Sequence, residues 1–140
     1  MKSSRLRHRL AGTAALTVLV GAGALATAPA ASAKANLIAI NKVALHAPGL
    51  QMKVTYSCDP GMNHQLVANV FNTSAHTGSE AAGTIKKDKL ICDYADHTVQ
   101  VNLKVAVGSY FDKGDKVKAT AFYFDEDGFS YAHEETAAVL

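Results

Sequence analysis

The sequence predicts an all-β protein, an antiparallel immunoglobulin-like β-sandwich of about seven strands that follows a cleaved signal peptide. Apolar and polar residues alternate with a period of two over several segments after residue 33. Turn-forming Gly, Pro, Asp and Asn separate these segments at intervals of about 8–12 residues, and no helical period interrupts them. This combination is typical of a sandwich, with a small barrel as the alternative.

The first 33 residues have the charge and hydropathy order of a secretory signal peptide. The basic start contains Lys2, Arg5, Arg7 and Arg9. An apolar stretch follows over residues 11–28, and Ala31-Ser32-Ala33 matches the small-x-small pattern that signal peptidase cleaves. Pro29 argues against the alternative, an uncleaved membrane anchor. We therefore expect cleavage between Ala33 and Lys34, a secreted single domain over residues 34–140, and no stable membrane anchor after processing.

Cleavage would change the charge of the protein. Every arginine lies before residue 34, so the mature part holds ten lysines against all twelve Asp and Glu residues, a net charge of −2. Arginine is the side chain best suited to bidentate phosphate contacts. Because the mature part lacks it, we do not expect nucleic acid as a partner.

The first half of the domain contains three predicted strands. The first covers residues 37–45 and ends near Pro48-Gly49. The second covers residues 50–58, where every second residue from Leu50 to Cys58 is apolar and the residues between them are polar. The turn residues Asp59-Pro60-Gly61 end this strand. The third, residues 65–72, is partly apolar on both faces, so its inward face stays open.

The second half contains the remaining strands. Residues 73–83 are small and polar and predict a loop, with a weak strand over residues 84–87. The run 90–94 comes next, and residues 98–107 form the clearest strand because Val99 to Val107 alternate with polar residues. The last two strands, 117–124 and 129–140, flank Asp125-Glu126-Asp127-Gly128, which predicts a hairpin with a type I′ turn.

Cys58 and Cys92 are the only cysteines. In an oxidising compartment they should pair, and no Cys-x-x-Cys spacing points instead to metal or redox chemistry. The bond is expected to join the end of one strand to the start of a hairpin. Closing a loop of about 35 residues should stabilise the fold by ~3–4 kcal/mol.

Three segments carry a family resemblance. They are Val54-Thr55-Tyr56-Ser57-Cys58-Asp59-Pro60-Gly61, Leu90-Ile91-Cys92-Asp93 leading into His97-Thr98-Val99-Gln100-Val101, and Phe111-Asp112-Lys113-Gly114-Asp115. In these the chain resembles small secreted actinobacterial proteins with an immunoglobulin-like fold and no assigned function. The resemblance implies a fold and an exported protein, and it assigns no catalytic residues. A second comparison is to the enediyne-carrying apoproteins of the neocarzinostatin type, which have two disulfides where this chain can form one.

The candidate binding residues are aromatic. Tyr110-Phe111 follows Gly108 in a predicted loop, and such side chains commonly anchor interfaces. The alternative is that this pair covers one open end of the sandwich. Met62 follows the Asp59-Pro60-Gly61 turn close to Cys58, where it could act as the specificity residue of a proteinase inhibitor loop.

No catalytic, cofactor-binding or metal-binding residues are predicted. The five histidines after residue 33 are scattered, and neither a nucleophile elbow nor a metal-ligand spacing occurs. We therefore expect a non-enzymatic surface-recognition or envelope-associated module, without cofactors, whose partner is an unidentified protein, cell-wall component or small molecule. The alternatives are a secreted proteinase inhibitor and a small-ligand carrier.

Overall fold

The computed structural model describes residues 36–74 and 77–140, which belong to one compact unit, Ala31–Leu140. The strands are β1 (Ile38–His46), β2 (Gly49–Tyr56), β3 (His64–Asn72), β4 (Glu80–Ile85), β5 (His97–Val105), β6 (Lys116–Asp125) and β7 (Ser130–Val139). A 3₁₀ helix, Lys87–Lys89, is the only helix in these residues, so the all-β prediction is confirmed. None of the helical structure in the two described ranges could reach across a bilayer. The signal peptide and the cleavage site at Ala33 and Lys34 lie outside the described residues.

All neighbouring strands are antiparallel, in the spatial order β1-β2-β5-β4-β3-β6-β7. The two outer strands approach each other, since β1 also packs beside β6 and β7. The sheet is therefore nearly closed and barrel-like. One end of it, which we call the β3-start end, carries the first residues of β3, β5 and β7 and the last residues of β2, β4 and β6.

Alternate residues of the central strands fill the interior, as a period of two requires. The β2 strand buries Leu50, Met52, Val54 and Tyr56, which confirms the predicted inward face. On β3 the structure decides between the two faces, because Leu66, Ala68 and Val70 are fully buried. Opposite them β6 buries Val117, Ala119, Ala121 and Tyr123. Small side chains on β3 and β6 leave room for the ring of Tyr123.

The contact between β4 and β5 is short and close. These strands pair over only two positions, Ala81 with Val105 and Ala82 with Lys104. At the next residue, Gly83, a Cβ atom would lie 2.3 Å from the carbonyl oxygen of Asn102. The close approach of the two backbones therefore requires glycine at this position.

Two predicted elements differ from the structure. Strand β4 begins at Glu80, inside the segment predicted as a loop, because its Ala81-Ala82-Gly83 core lacks the bulky residues that mark strands. The run 90–94 forms no strand and lies in the connection between the 3₁₀ helix and β5. The disulfide thus joins the end of β2 to this connection and not to a hairpin strand.

The β6–β7 hairpin is confirmed, but its turn is not type I′, which needs two residues with positive φ. Within residues 125–129 only Gly128 has positive φ, at 88°. The side chain of Asp125 organises the turn, since its Oδ1 accepts hydrogen bonds from the N–H groups of Asp127 (3.1 Å) and Phe129 (2.8 Å). A type I turn followed by a left-handed glycine accounts for this geometry.

Candidate functional site

The predicted aromatic pair Tyr110-Phe111 is divided between surface and core. Tyr110 is 66% exposed, whereas Phe111 is half-buried and packs against the hydrophobic core. Their loop is held by Asp115, whose buried carboxylate accepts hydrogen bonds from the Asn72 side-chain amide (2.6 Å) and from the N–H of Asp112 (2.8 Å). Of this pair only Tyr110 is exposed, at the end of the sheet opposite the β3-start end.

Met62 lies in the short connection between β2 and β3, with a half-buried side chain. Its N–H group donates to the carbonyl of Asp59 over 3.4 Å, so the connection is a tight turn. Met62 follows Cys58 by four residues, and its half-buried side chain exposes less surface than that of Tyr110.

A different loop presents apolar side chains at the β3-start end. We call residues 90–96 the cystine loop, because Cys92 ties it to Cys58 at the end of β2. Ile91 is 57% exposed and Tyr94 is 62% exposed, although the disulfide lies between them in sequence. Tyrosine is among the residues that most often anchor protein interfaces.

Hydrogen bonds hold the cystine loop on both sides of the disulfide. The N–H of Ile91 donates to the Tyr56 hydroxyl (3.0 Å), and the N–H of Tyr94 donates to the carbonyl of Cys58 (3.2 Å). Farther along, Asp93 Oδ1 lies 2.7 Å from His97 Nε2. This hydrogen bond lowers the pKa of Asp93. These contacts fix the backbone of the loop on both sides of Cys92.

Tyr94 has a strained backbone. Its φ is +66°, in the left-handed region that bulky residues rarely adopt. This conformation costs about 1–2 kcal/mol for a residue with a Cβ atom. Glycine would relieve the strain, yet an exposed tyrosine occupies the position.

A cleft of about 450 Å³ lies next to the cystine loop. Its lining comes from the start of β3, the 3₁₀ helix and the β6–β7 hairpin: Asn63, His64, Gln65, Lys86, Lys87, Asp88, Phe124, Asp125 and Glu126. The Lys87 ammonium group donates to the Asn63 side-chain oxygen across the cleft. Charges of both signs are present, so the cleft has no strong preference for anions or cations.

His64 is the most unusual residue in the cleft lining, since it is only 3% exposed. Its ring packs 4.3 Å from the ring of Tyr123, measured between centroids, and its Nε2 lies 3.9 Å from Cys92 Sγ. The other ring nitrogen, Nδ1, is buried without a hydrogen-bond partner. Burial lowers the pKa of His64, and the negative charge of Asp59 opposes this shift only in part. The imidazole is therefore neutral near pH 7.

Two tyrosines complete the surroundings of His64. Tyr123 donates its hydroxyl hydrogen to the carbonyl of Ser57 (3.0 Å), whereas the Tyr131 hydroxyl is buried without a partner. Burial raises the pKa of both hydroxyls, so neither acts as a base at neutral pH.

Within residues 36–74 and 77–140, one group of three potential metal ligands comes together, Cys58, His64 and Cys92. Their ligand atoms lie within 4.8 Å of one another. While the disulfide is intact, neither sulfur is a thiolate, and thiolate is the form that binds metals. The oxidised cluster therefore offers one imidazole nitrogen only.

Sequence reasoning identified the disulfide but not the residues around it. The inward face of β3, which carries His64, could not be assigned because both faces of that strand are partly apolar. Tyr94 was interpreted as part of a strand-like run. One signal in the sequence could have identified this loop. Ile91 and Tyr94 flank Cys92 in a segment where apolar and polar residues do not alternate.

No protein-family model, curated protein or solved structure matches this chain.

Proposed function

We propose that this protein is a secreted, non-enzymatic recognition module of immunoglobulin-like architecture that binds a partner protein through the cystine loop. The observation that carries the proposal is the exposed, left-handed Tyr94, two residues from a disulfide that holds it in place. A rigid aromatic anchor loses little conformational entropy when it binds. The loop is therefore suited to insert Tyr94 and Ile91 into a pocket of a partner.

The strand order supports the immunoglobulin-like part of the proposal. Strands β1, β2 and β5 pair as one group and β4, β3, β6 and β7 as another, and only two residue pairs join the groups at β4–β5. Two antiparallel groups with this connectivity suit a sandwich whose end loops carry recognition. The signal-like first 33 residues and the disulfide support export.

The experiment compares variants of one loop residue. Tyr94→Gly removes the anchor and relieves the left-handed strain, so the protein should keep or gain stability while it loses binding. The full chain, purified with its disulfide formed, is immobilised and equilibrated with secreted proteins and cell-wall fractions of the producing organism. Tyr110→Ala is the matched control, because it removes an equally exposed tyrosine at the other end.

The proposal predicts a saturable protein partner that the wild type and Tyr110→Ala bind and that Tyr94→Gly binds at least about ten-fold more weakly. Equal binding by wild type and Tyr94→Gly, or turnover of a substrate without any partner, would overturn it.

A small-ligand carrier is the second candidate, because the cleft volume of about 450 Å³ lies in the range of small-molecule sites. Native mass spectrometry of protein purified from its producer tests this candidate. A retained mass that Phe124→Ala abolishes would favour the carrier, and the bare polypeptide mass would reject it.

A further inference from the structure

The cluster of Cys58, Cys92 and His64 has a second chemical state, which forms when the disulfide is reduced. Reduction would leave two thiols and one neutral imidazole, and two thiolates with an imidazole are ligands that zinc prefers. We propose that reductive opening of the Cys58–Cys92 bond creates a zinc-binding site in which both sulfurs and His64 Nε2 are the protein ligands.

The distances already approach those of a zinc site. Tetrahedral zinc, with bonds of about 2.3 Å to sulfur and about 2.0 Å to nitrogen, places its ligand atoms about 3.5–3.8 Å apart. His64 Nε2 lies 3.9 Å from Cys92 Sγ, and the three ligand atoms lie within 4.8 Å. The two sulfurs must separate and Cys58 Sγ must move closer to the imidazole, which rotation of the cysteine side chains can provide.

The backbone around the cluster does not depend on the disulfide alone. The two flanking hydrogen bonds, Ile91 N–H to the Tyr56 hydroxyl and Tyr94 N–H to the Cys58 carbonyl, lie on either side of Cys92. His64 is the first residue of β3 and pairs with Asp125 of β6. After reduction these contacts keep both cysteines beside the imidazole, as a preorganised site requires.

The contact of His64 Nε2 with Cys92 Sγ is the second observation in favour of a ligand. A buried imidazole ordinarily finds hydrogen-bond partners for its ring nitrogens. Here Nδ1 has none, and Nε2 faces sulfur. With the proton on Nδ1, Nε2 keeps a free lone pair 3.9 Å from Cys92 Sγ. Cys92 is half-buried, so a water molecule can reach the fourth coordination position.

The chemistry balances with one added reductant. A dithiol transfers two electrons and two protons to the disulfide, becomes a cyclic disulfide, and leaves Cys58 and Cys92 as thiols. Zinc then replaces one proton on each thiol and accepts the imidazole lone pair, so two protons are released to the solvent. The imidazole gains and loses no proton.

The test uses the full chain, reduced with a dithiol and freed of reductant without air. Co²⁺ serves as the coloured substitute for zinc. We expect one equivalent of Co²⁺ to give thiolate-to-cobalt charge-transfer and tetrahedral visible bands, and one equivalent of Zn²⁺ to remove them. The oxidised protein should give neither band.

Two histidine variants separate a built site from binding to loose thiols. His64→Gln should weaken zinc binding at least about 100-fold, since loss of a direct ligand exceeds the usual effect of losing an outer contact. The control His46→Gln changes an exposed histidine at the far end of β1 and should bind as wild type does. If reduction unfolds the chain, zinc should restore its β-sheet circular dichroism. Equal zinc affinity of both variants, or no cobalt bands in the reduced protein, would overturn the proposal.

Discussion

The neutral state of His64 in the fold has a consequence for stability. In the unfolded chain the imidazole takes up a proton near its ordinary pKa of 6.5, whereas burial keeps its pKa lower in the fold. Between these two pKa values the unfolded state binds more protons, so stability falls as pH falls. The charge of Asp59 opposes the shift, and the nearby hydroxyls of Tyr123 and Tyr131 stay neutral throughout this range.

His64→Phe should therefore flatten the pH dependence of folding in the oxidised protein. Phenylalanine retains a ring against Tyr123 and cannot titrate. Between about pH 8 and about pH 5, the wild type should lose more unfolding free energy than the variant. Urea denaturation at a series of pH values measures the difference. Parallel curves for the two proteins would show that His64 is protonated equally in the folded and unfolded states.

At the scale of single strands, β4 shows that packing can select residues of low strand propensity. Gly83 allows the β4 and β5 backbones to approach within a distance that no side chain permits. Gly83→Ala should therefore destabilise the protein by about 1–3 kcal/mol, because the two strands must separate to admit the Cβ atom. Chemical denaturation measures this loss.

The control for Gly83→Ala is Thr84→Ala, which changes the exposed neighbour on the same strand. It should alter the unfolding free energy by no more than about 0.5 kcal/mol. If both variants lost similar unfolding free energy, β4 would be sensitive to any substitution. The close approach of the backbones would then not explain why glycine occupies position 83.

A comparison of β4 with β2 and β5 shows which strands the sequence can predict and which it cannot. Strands β2 and β5 were predicted because Leu50 to Tyr56 and Val99 to Val105 alternate between an inward and an outward face. Strand β4 has no such alternation of large residues, and its place is set by pairing with β3 and by the close approach to β5. The cystine loop was misjudged for a related reason, since the disulfide and the hydrogen bonds to β2 override the local preference of Ile91 and Tyr94.

The site was less predictable than the fold. The pairing of Cys58 with Cys92 followed from the number of cysteines and the expected compartment. The position of His64 beside that bond depends on which face of β3 points inward, and that choice is made by packing against Ala119, Ala121 and Tyr123 of β6.

For the whole molecule, the disulfide closes a long covalent loop around β3 and β4, since the cysteines are 34 residues apart. A crosslink of this span stabilises mainly by restricting the unfolded chain, and the chain-entropy relation gives about 4 kcal/mol. A domain of this size has a total stability of only about 5–15 kcal/mol. The single crosslink therefore supplies a large share of the unfolding free energy.

The double variant Cys58→Ala/Cys92→Ala should accordingly lose about 4 kcal/mol or somewhat more, because alanine also leaves space where the buried Cys58 sulfur packed. Comparison with reduced wild type separates these effects, since reduction removes the crosslink and keeps both sulfurs. If the crosslink acts on the unfolded chain, the unfolded double variant and the unfolded reduced wild type should expose more surface than the unfolded oxidised protein. Their unfolding free energies should then depend more steeply on denaturant concentration. A loss below about 1 kcal/mol on reduction, with an unchanged slope, would show that the contacts between β2 and the cystine loop hold this end of the sheet without the bond.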